Sequence, residues 1–498
     1  MPGRSRTQSI AVAAVTAAFS AVLVLWTLLT PALGAPDEGA HFSSIERMAT
    51  APAWPDPGEA QISGAVRAAL EEGGRSRAAD RSTLGELREA NPGLSESVDW
   101  MTQHPPLYYA IAGAVLAVAG GDDLRWDIAA WLLRLLSVLI ILPVPWLLYR
   151  GIGTLTGSVN SGVLAAATVL LVPQLQHIGA SISNDSIIIL GGAVSVWLVA
   201  RVLTGRRDWP TLAGLGVTLA IMALTKGTGL TAVPFVVLAL LLAPGIGMRR
   251  RMAQTAVVLA IAAAGLWWWA WNILRFGTLQ PSGTLGLRPD IPWPPGLGPN
   301  LPHYLDALWN GVSLSFWGNF GGLRAPILAS LADVLTVGAL LVVAAYGFRR
   351  HDLPRSIVLA SLPVVTLIML MYTTWGVYAR TQSVFGVQGR YFFVALGALV
   401  GLSAIAWLRL LPTPGQRRML GQTVAIAAPI MTAYGLVVAY LQFYEQGAVQ
   451  VLRSGLGTWA AISPLGPLGV VIAGVAAAGA LVWAAAAVRG ASAPVPTL

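Results

Sequence analysis

Cysteine is absent from this chain, which excludes disulfides, thiolate nucleophiles and iron–sulfur ligation and leaves the redox compartment unread. Charge is scarce as well: Asp, Glu, Lys and Arg make up 11% of the residues, against roughly 25% in a soluble domain. With 55% hydrophobic residues, that shortage argues against a soluble globular fold. Lysine is nearly missing, Lys226 being the only one among 31 basic residues. The formal charge of +9 therefore comes from arginines, most of them in short clusters between apolar stretches. Such placement fits sorting across a bilayer and gives no sign of nucleic-acid binding.

What is abundant is apolar sequence. Runs of about 18 residues or more, enough to cross a hydrocarbon core roughly 30 Å thick, recur from residue 9 almost to the end. The expected fold class is all-α, a polytopic transmembrane helical bundle of about twelve spans. One membrane domain is expected over residues 1–490, with a disordered tail at 491–498. The first 35 residues imitate a secretory signal, with a basic start and Ala32-Leu33-Gly34 as a small-residue site. The apolar stretch 10–33 is longer than the roughly 7 to 15 residues of a signal core, so it is read as the first span.

The stretch 105–120 decides orientation. If it crosses, Arg150, the Arg201/Arg206/Arg207 cluster, Arg249-Arg250-Arg251, Arg349/Arg350/Arg355 and Arg409/Arg417/Arg418 all fall outside, against the positive-inside rule. If it lies at the outer interface, all of them fall inside with the basic N-terminus and Arg489. Spans are then expected at about 10–33, 128–149, 158–178, 186–204, 210–225, 228–246, 253–274, 326–347, 356–374, 391–410, 421–442 and 465–487. The pair around Lys226 is short enough to be a hairpin that does not cross fully. Both termini are expected in the cytoplasm, with the chain in the plasma membrane. Loops at 35–127, 275–325, 375–390 and 443–464 are expected outside. The first holds fifteen of the 22 acidic residues, and its stretch 63–88 has the composition of a solvated surface helix.

Candidate chemistry lies in those outer loops. Asp37 and Glu38 follow Pro36 where the chain leaves the bilayer, and His41 comes three residues later. Asp37 can cap a short helix, with Glu38 favourable at its dipole, or act as a general base whose proton affinity is raised by a partly dehydrated surround. The two roles are not exclusive, and Asp37, Glu38 and His41 also offer ligands for a divalent cation. Gln103-His104-Pro105-Pro106-Leu107-Tyr108-Tyr109 pairs interfacial tyrosine anchors with a histidine, His104, able to bond a substrate. Asp185 either caps the next span, together with Asn184, or faces the same cavity as Asp37. Lys226, an outer cation, either snorkels to headgroups or takes an anionic partner. Arg390 precedes Tyr391 and follows Gly389, and its planar fork suits a phosphate. Trp317, in Ser315-Phe316-Trp317-Gly318-Asn319-Phe320-Gly321-Gly322, belongs to an interfacial belt or to a platform for a sugar ring.

These motifs, in this order over residues 36–393, resemble a bacterial family of membrane proteins of unknown function that is itself similar to the GT-C glycosyltransferases. Those include protein O-mannosyltransferases, the lipid A aminoarabinose transferase and mycobacterial arabinosyltransferases. The resemblance implies inverting transfer of a sugar from a polyprenyl-phosphate donor to a cell-envelope glycan, lipid or protein on the extracytoplasmic side. Asp37 would be the base, Glu38 would support it or help hold a divalent cation, and Lys226 and Arg390 would neutralise the leaving phosphate. His41, His104, Tyr108, Asp185, Trp317 and Tyr391 are the further substrate-binding candidates. Metal use differs among these enzymes, so the resemblance does not decide it. Two other readings stand beside it: a lipid or glycan transporter, disfavoured because the spans are nearly free of mid-depth charge, and a glycan ligase or polymerase with a diphosphate-linked donor.

Overall fold

The structure, a computed structural model, describes residues 6–73, 76–283, 289–445 and 452–492; most of the expected C-terminal tail lies outside these residues. The described chain is almost entirely helical, with two small two-stranded antiparallel sheets, Gln61–Ser63 with Leu94–Val98 and Asn319–Phe320 with Ala325–Pro326. Eight helices are long and apolar enough to cross a membrane, from Arg6–Leu29 to Gly466–Ala491. Two helix pairs pass the same test together but are bent, Val159–Leu170 by 69° into Pro173–Gly179 and Met248–Gly265 by 61° into Trp267–Phe276, the form of a broken span or of a re-entrant loop. Counting each as one gives up to ten, two fewer than the twelve expected. The difference lies at Trp209–Ala223 and Gly227–Leu241, the short pair flanking Lys226. The stretch at 105–120 forms a helix of only twelve residues, Leu107–Val118, about 18 Å long at 1.5 Å per residue.

Arg6–Leu29 is the central post of the bundle. It buries Ala11, Ala14 and Ala18 and packs along Gly466–Ala491, which buries Ala473, Ala477 and Ala484. Small side chains on both helices let the backbones approach closely, the main source of helix association where lipid removes the hydrophobic drive.

The first loop is a folded cap with its own apolar core of Phe42, Ile45, Leu84, Tyr108, Tyr109 and Trp126. The single surface helix expected over 63–88 is instead two helices, Gly64–Gly73 and Leu84–Ala90, joined through a 3₁₀ turn at Ala78–Asp80. A glycine, Gly73, closes the first helix, and a capping box of Thr83 and Glu86 starts the second. Nor is the segment merely solvated, since Val66, Ala69 and Leu84 are fully buried. The cap is fastened to the C-terminal part of the chain by Arg81, which bonds Asp127 at 3.0 Å and the Ile462 carbonyl at 3.1 Å.

Its strongest anchor is Arg134, buried in Trp126–Ile141. The guanidinium donates to both oxygens of Glu38 at 2.7 Å and to the carbonyls of Thr27, Thr30 and Pro31. It thereby satisfies the open carbonyls at the end of the first helix and fixes the turn that follows. Glu38 also accepts from the backbone N–H of Ala35 and Ile182. Burial alone would raise its carboxyl, but Arg134 and the two amides outweigh burial and hold it below the ordinary 4.5.

Removing one member of this pair leaves the other charge buried and unpaired, so Glu38→Gln is expected to cost about 3–5 kcal/mol. The loss is read as the melting temperature of the detergent-purified protein; a melting temperature unmoved by Glu38→Gln would contradict the assignment. Because the folded value of Glu38 is depressed, its contribution is complete above about pH 4.5 and is lost as acid titrates below it.

Candidate active site

Four charged residues from distant parts of the chain form one line. Asp37 Oδ2 accepts from Arg390 Nη2 at 2.5 Å, Arg390 Nε lies 3.8 Å from Asp185 Oδ2, and Asp185 Oδ1 accepts from Lys226 Nζ at 2.5 Å. Acid and base alternate, and the line sums to zero charge. Tyr391 lies against both cations, its ring centroid 5.4 Å from Lys226 Nζ and 5.6 Å from the Arg390 guanidinium carbon. Lys226, Asp185 and Arg390 are buried, while the Asp37 side chain keeps 31% of its surface exposed. Asp37 is therefore the acid of the line open to an incoming group.

Local backbone explains each placement. Asp37 occupies the N-cap position of Glu38–Thr50 but with φ of 62°, and its side chain makes no capping bond. The left-handed conformation, which Asp tolerates better than most residues, turns the carboxylate away from the helix and towards Arg390. Capping by Asp37, one of the two sequence readings, is thus not what it does. Asn184 likewise makes no capping bond; Ser183 Oγ accepts from the Asp185 N–H, and Asp185 is left for Lys226. Lys226 sits in extended backbone between the two short helices. Gly389 is required by space: a Cβ there would lie 2.3 Å from the Phe316 nitrogen and 2.4 Å from the Val312 carbonyl. Its N–H donates to Ser315 Oγ at 2.7 Å, clamping Arg390 against the last turn of Leu301–Trp317.

The Asp37 carboxyl runs opposite to the sequence expectation of raised proton affinity. Burial would raise it, but the Arg390 guanidinium, helped by His41 and Lys226, holds it below its ordinary value. Asp37 is a carboxylate engaged by a cation. Glu38 faces away to Arg134, so the two adjacent acids do not converge, and Glu38 is a structural residue rather than a partner of the base. Among the described residues no three His, Asp or Glu side chains gather as metal ligands. Asp37 and Glu38, which the sequence offers as ligands for a divalent cation, are paired with Arg390 and Arg134 instead.

His41 is buried beside the line, its Nδ1 3.0 Å from the Tyr109 hydroxyl, which also accepts from Asn184 Nδ2 at 3.4 Å. His104 is buried with its Nδ1 unpartnered among the described residues. Tyr108 packs in the cap core with its hydroxyl 3.5 Å from Ser137 Oγ, a packing role rather than a headgroup anchor. Trp317 donates to Thr336 Oγ1 at 2.9 Å and is directed to the helix Ala329–Tyr346, not to the charged line. Of the ten residues nominated from the sequence, Asp37, Asp185, Lys226, Arg390 and Tyr391 form the centre and His41 and His104 flank it. Glu38, Tyr108 and Trp317 do other work.

The family model described as "Predicted membrane protein (DUF2142)" matches residues 20–398. The chain belongs to this family. The matched segment contains all four charged residues of the line and ends before the long helix Pro414–Tyr444. No curated protein matches the chain. Among solved structures, ArnT from Cupriavidus metallidurans, in the apo state and bound to undecaprenyl phosphate, is similar at 14% identity, covering 94% of this chain and 76% of that one with TM-scores of 0.46 and 0.45. The apo oligosaccharyltransferase of Archaeoglobus fulgidus is similar at 11% identity over 90% of this chain and 59% of its own, with a TM-score of 0.46. Likenesses at this level concern the course of the chain and say nothing of its chemistry.

Sequence reasoning missed Arg134, although an arginine well inside an expected span is itself a signal. It also missed the polar run Gln174, Gln176 and His177 after Pro173, where the span breaks.

Burial drives the His41 imidazole from 6.5 down to about 4, more than the nearby Asp37 carboxylate restores. Between those values the unfolded chain binds a proton that the folded one refuses, so stability should fall as pH drops from about 6.5 towards 4. Stability curves of the wild type and His41→Asn across that window check this: the slope should flatten in the variant.

Proposed function

We propose that this chain is a membrane glycosyltransferase that moves a sugar from a polyprenyl-phosphate donor to a cell-envelope acceptor, with inversion and with Asp37 as general base. The observation that carries this reading is the convergence of Asp37, Asp185, Lys226 and Arg390 on one site just beyond the first helix. The resemblance of the surrounding motifs to sugar-transferring membrane enzymes agrees with it.

The chemistry follows from the charge line. A donor phosphate seated between Lys226 and Arg390 competes with the carboxylates for both cations. Arg390, with its fork, can offer a phosphate two parallel N–H bonds, and Lys226 adds a point charge. As Arg390 turns to the phosphate, Asp37 loses the partner that depresses its carboxyl and becomes a stronger base at a partly dehydrated position. The acceptor hydroxyl then attacks the anomeric carbon from the face opposite the phosphate, forming the new C–O bond as the C–O bond to phosphate breaks. Its proton passes to Asp37, and the released polyprenyl phosphate carries the electron pair. Lys226 and Arg390 stabilise the charge that develops on that leaving oxygen, where fixed donors act most strongly. Asp185 holds Lys226 and lies within reach of Arg390, so it positions both cations between turnovers.

The site is placed on the extracytoplasmic side of a bacterial plasma membrane, because the arginine clusters at 249–251, 349–355 and 409–418 then lie in the cytoplasm with both termini. The acidic cap of residues 35–127 and the loop 275–325 are the elements left to select the acceptor.

Two variants test the roles separately in protein reconstituted in nanodiscs. Asp37→Asn should reduce transfer of labelled sugar from undecaprenyl-phosphate donors by about 100-fold or more, while undecaprenyl phosphate binds at least as tightly because Arg390 is freed. Lys226→Gln should weaken undecaprenyl phosphate binding about ten-fold or more. Undiminished transfer by Asp37→Asn would remove it from the base role, and turnover of diphosphate-linked but not monophosphate-linked donors would reassign the reaction.

A further inference from the structure

Two glutamines in the broken span have different fates. Gln176 is fully engaged in the bundle: its carbonyl accepts from Trp26 Nε1 at 3.3 Å, and its amide donates to the Val169 carbonyl at 3.1 Å and Thr432 Oγ1 at 3.0 Å. Gln174, equally buried, is half engaged. Its carbonyl accepts from the Asn319 N–H at 2.7 Å, and its NH₂ group has no partner among the described residues. Asn319 repeats the pattern: its backbone N–H is used, while its side-chain Oδ1 is buried and unpartnered. The Gln388 Oε1 atom, two residues before Arg390, is buried and unpartnered too, as is Arg390 Nε apart from its distant ion pair with Asp185.

The elements that carry these groups pack into one corner. Pro173–Gly179 packs against the Asn319–Phe320 strand and against Gly389–Ala395, and Asn319 lies two residues beyond the helix whose last turn clamps Gly389. His177 ties the same corner together by accepting from the Gly321 N–H at 3.3 Å. A buried amide or carbonyl without a partner costs about 1–3 kcal/mol, so several in one corner beside a cationic residue form a costly pattern unless a ligand completes it. Among the described residues the free amide groups there are one NH₂ donor and two carbonyl acceptors, all uncharged, beside His177, whose Nδ1 is unpartnered as well. A hydroxyl donates and accepts at once, so adjacent hydroxyls on a neutral ring match that set, whereas an anion would meet two acceptors and a cation a donor.

We propose that Gln174, Asn319 and Gln388 form a carboxamide subsite beside Arg390 that recognises hydroxyl groups of the sugar carried on the donor phosphate. This rests on the reading of the site as one that takes a polyprenyl-phosphate sugar, and it adds which residues read the sugar. A ring joined directly to a phosphate held by Arg390 lies beside that residue, and Gln388 is two residues from it along the chain. The hydrogen-bonded pair of Gln174 and Asn319 belongs to elements that pack on the segment Gly389–Ala395 or on each other. Discrimination by such a subsite is strong, because a sugar lacking a matching hydroxyl leaves the buried amides unpaired.

The test measures binding to nanodisc-embedded full-length protein of four probes: undecaprenyl phosphate and the same carrier bearing glucose, mannose or arabinose. Wild type should bind at least one sugar-bearing carrier more tightly than the bare one. Gln388→Leu removes the free Oε1 without adding a charge; Asn319→Ala keeps the backbone bond and removes the free Oδ1. Each should erode the sugar preference about ten-fold and leave bare-carrier affinity within about two-fold, which also reports an intact fold. Preference surviving in both variants, or absent from wild type, would overturn the subsite alone. Bare-carrier affinity falling along with the preference would assign these amides to the phosphate or to the fold and overturn it as well. Binding of neither bare nor loaded carrier by wild type would overturn the subsite and the proposed function together.

Discussion

The guanidinium of Arg134 organises the junction between membrane bundle and cap. Buried in an apolar helix, it is compensated by five hydrogen bonds, two to Glu38 and three to carbonyls at and just beyond the end of the first helix. Because those carbonyls and Glu38 lie on both sides of the turn at residues 30–37, the turn has little freedom left. Asp37 is the next residue in this chain of constraint. Its left-handed backbone and its direction towards Arg390 follow from where Glu38 is held. The adjacent acids thus divide two tasks: Glu38 spends its charge on the fold, and Asp37 keeps its own for a partner that can be exchanged.

Exchange is what the charge line allows. Two carboxylates and two cations in alternation cancel, so the site can be buried without a net charge and without a strong field to trap stray ions. A ligand that brings a negative charge unbalances the line at the cations and frees an acid at the end. In the proposed reaction, coupling of this kind would tie deprotonation of an acceptor to the presence of a donor. Neither Lys226 nor Arg390 could remain buried without its carboxylate, so the acids are needed in the empty state as much as in the occupied one.

Around Lys226 stand Tyr391, against both cations, Trp269 and the Gln280 side chain next to Gly227. Towards the broken span the surround is rich in amides, several of them incompletely bonded. The break just before Pro173 is covered by protein, as irregular backbone in a bilayer must be, and Gln174 and Gln176 are buried just beyond it.

Much of this was legible in the sequence. Apolar run lengths and arginine clustering determined an all-helical, polytopic membrane chain, because hydrocarbon imposes the same requirement on every segment regardless of its neighbours. The special character of Asp37, Lys226 and Arg390 was legible too, since a charge at the edge of an apolar run is costly unless an opposite charge, a headgroup or a ligand meets it. Pairing was not: Asp37 and Arg390 are 353 residues apart, and no local pattern says which acid meets which cation. Only the tertiary structure decided that Glu38 belongs to Arg134, that Trp317 points away, that Tyr108 is core, and that two expected spans are short helices flanking a lysine. The physical reason is range. Burial of apolar surface is read from composition within one segment, whereas the cost of a buried charge or amide is settled by whichever distant group the fold brings within hydrogen-bonding distance.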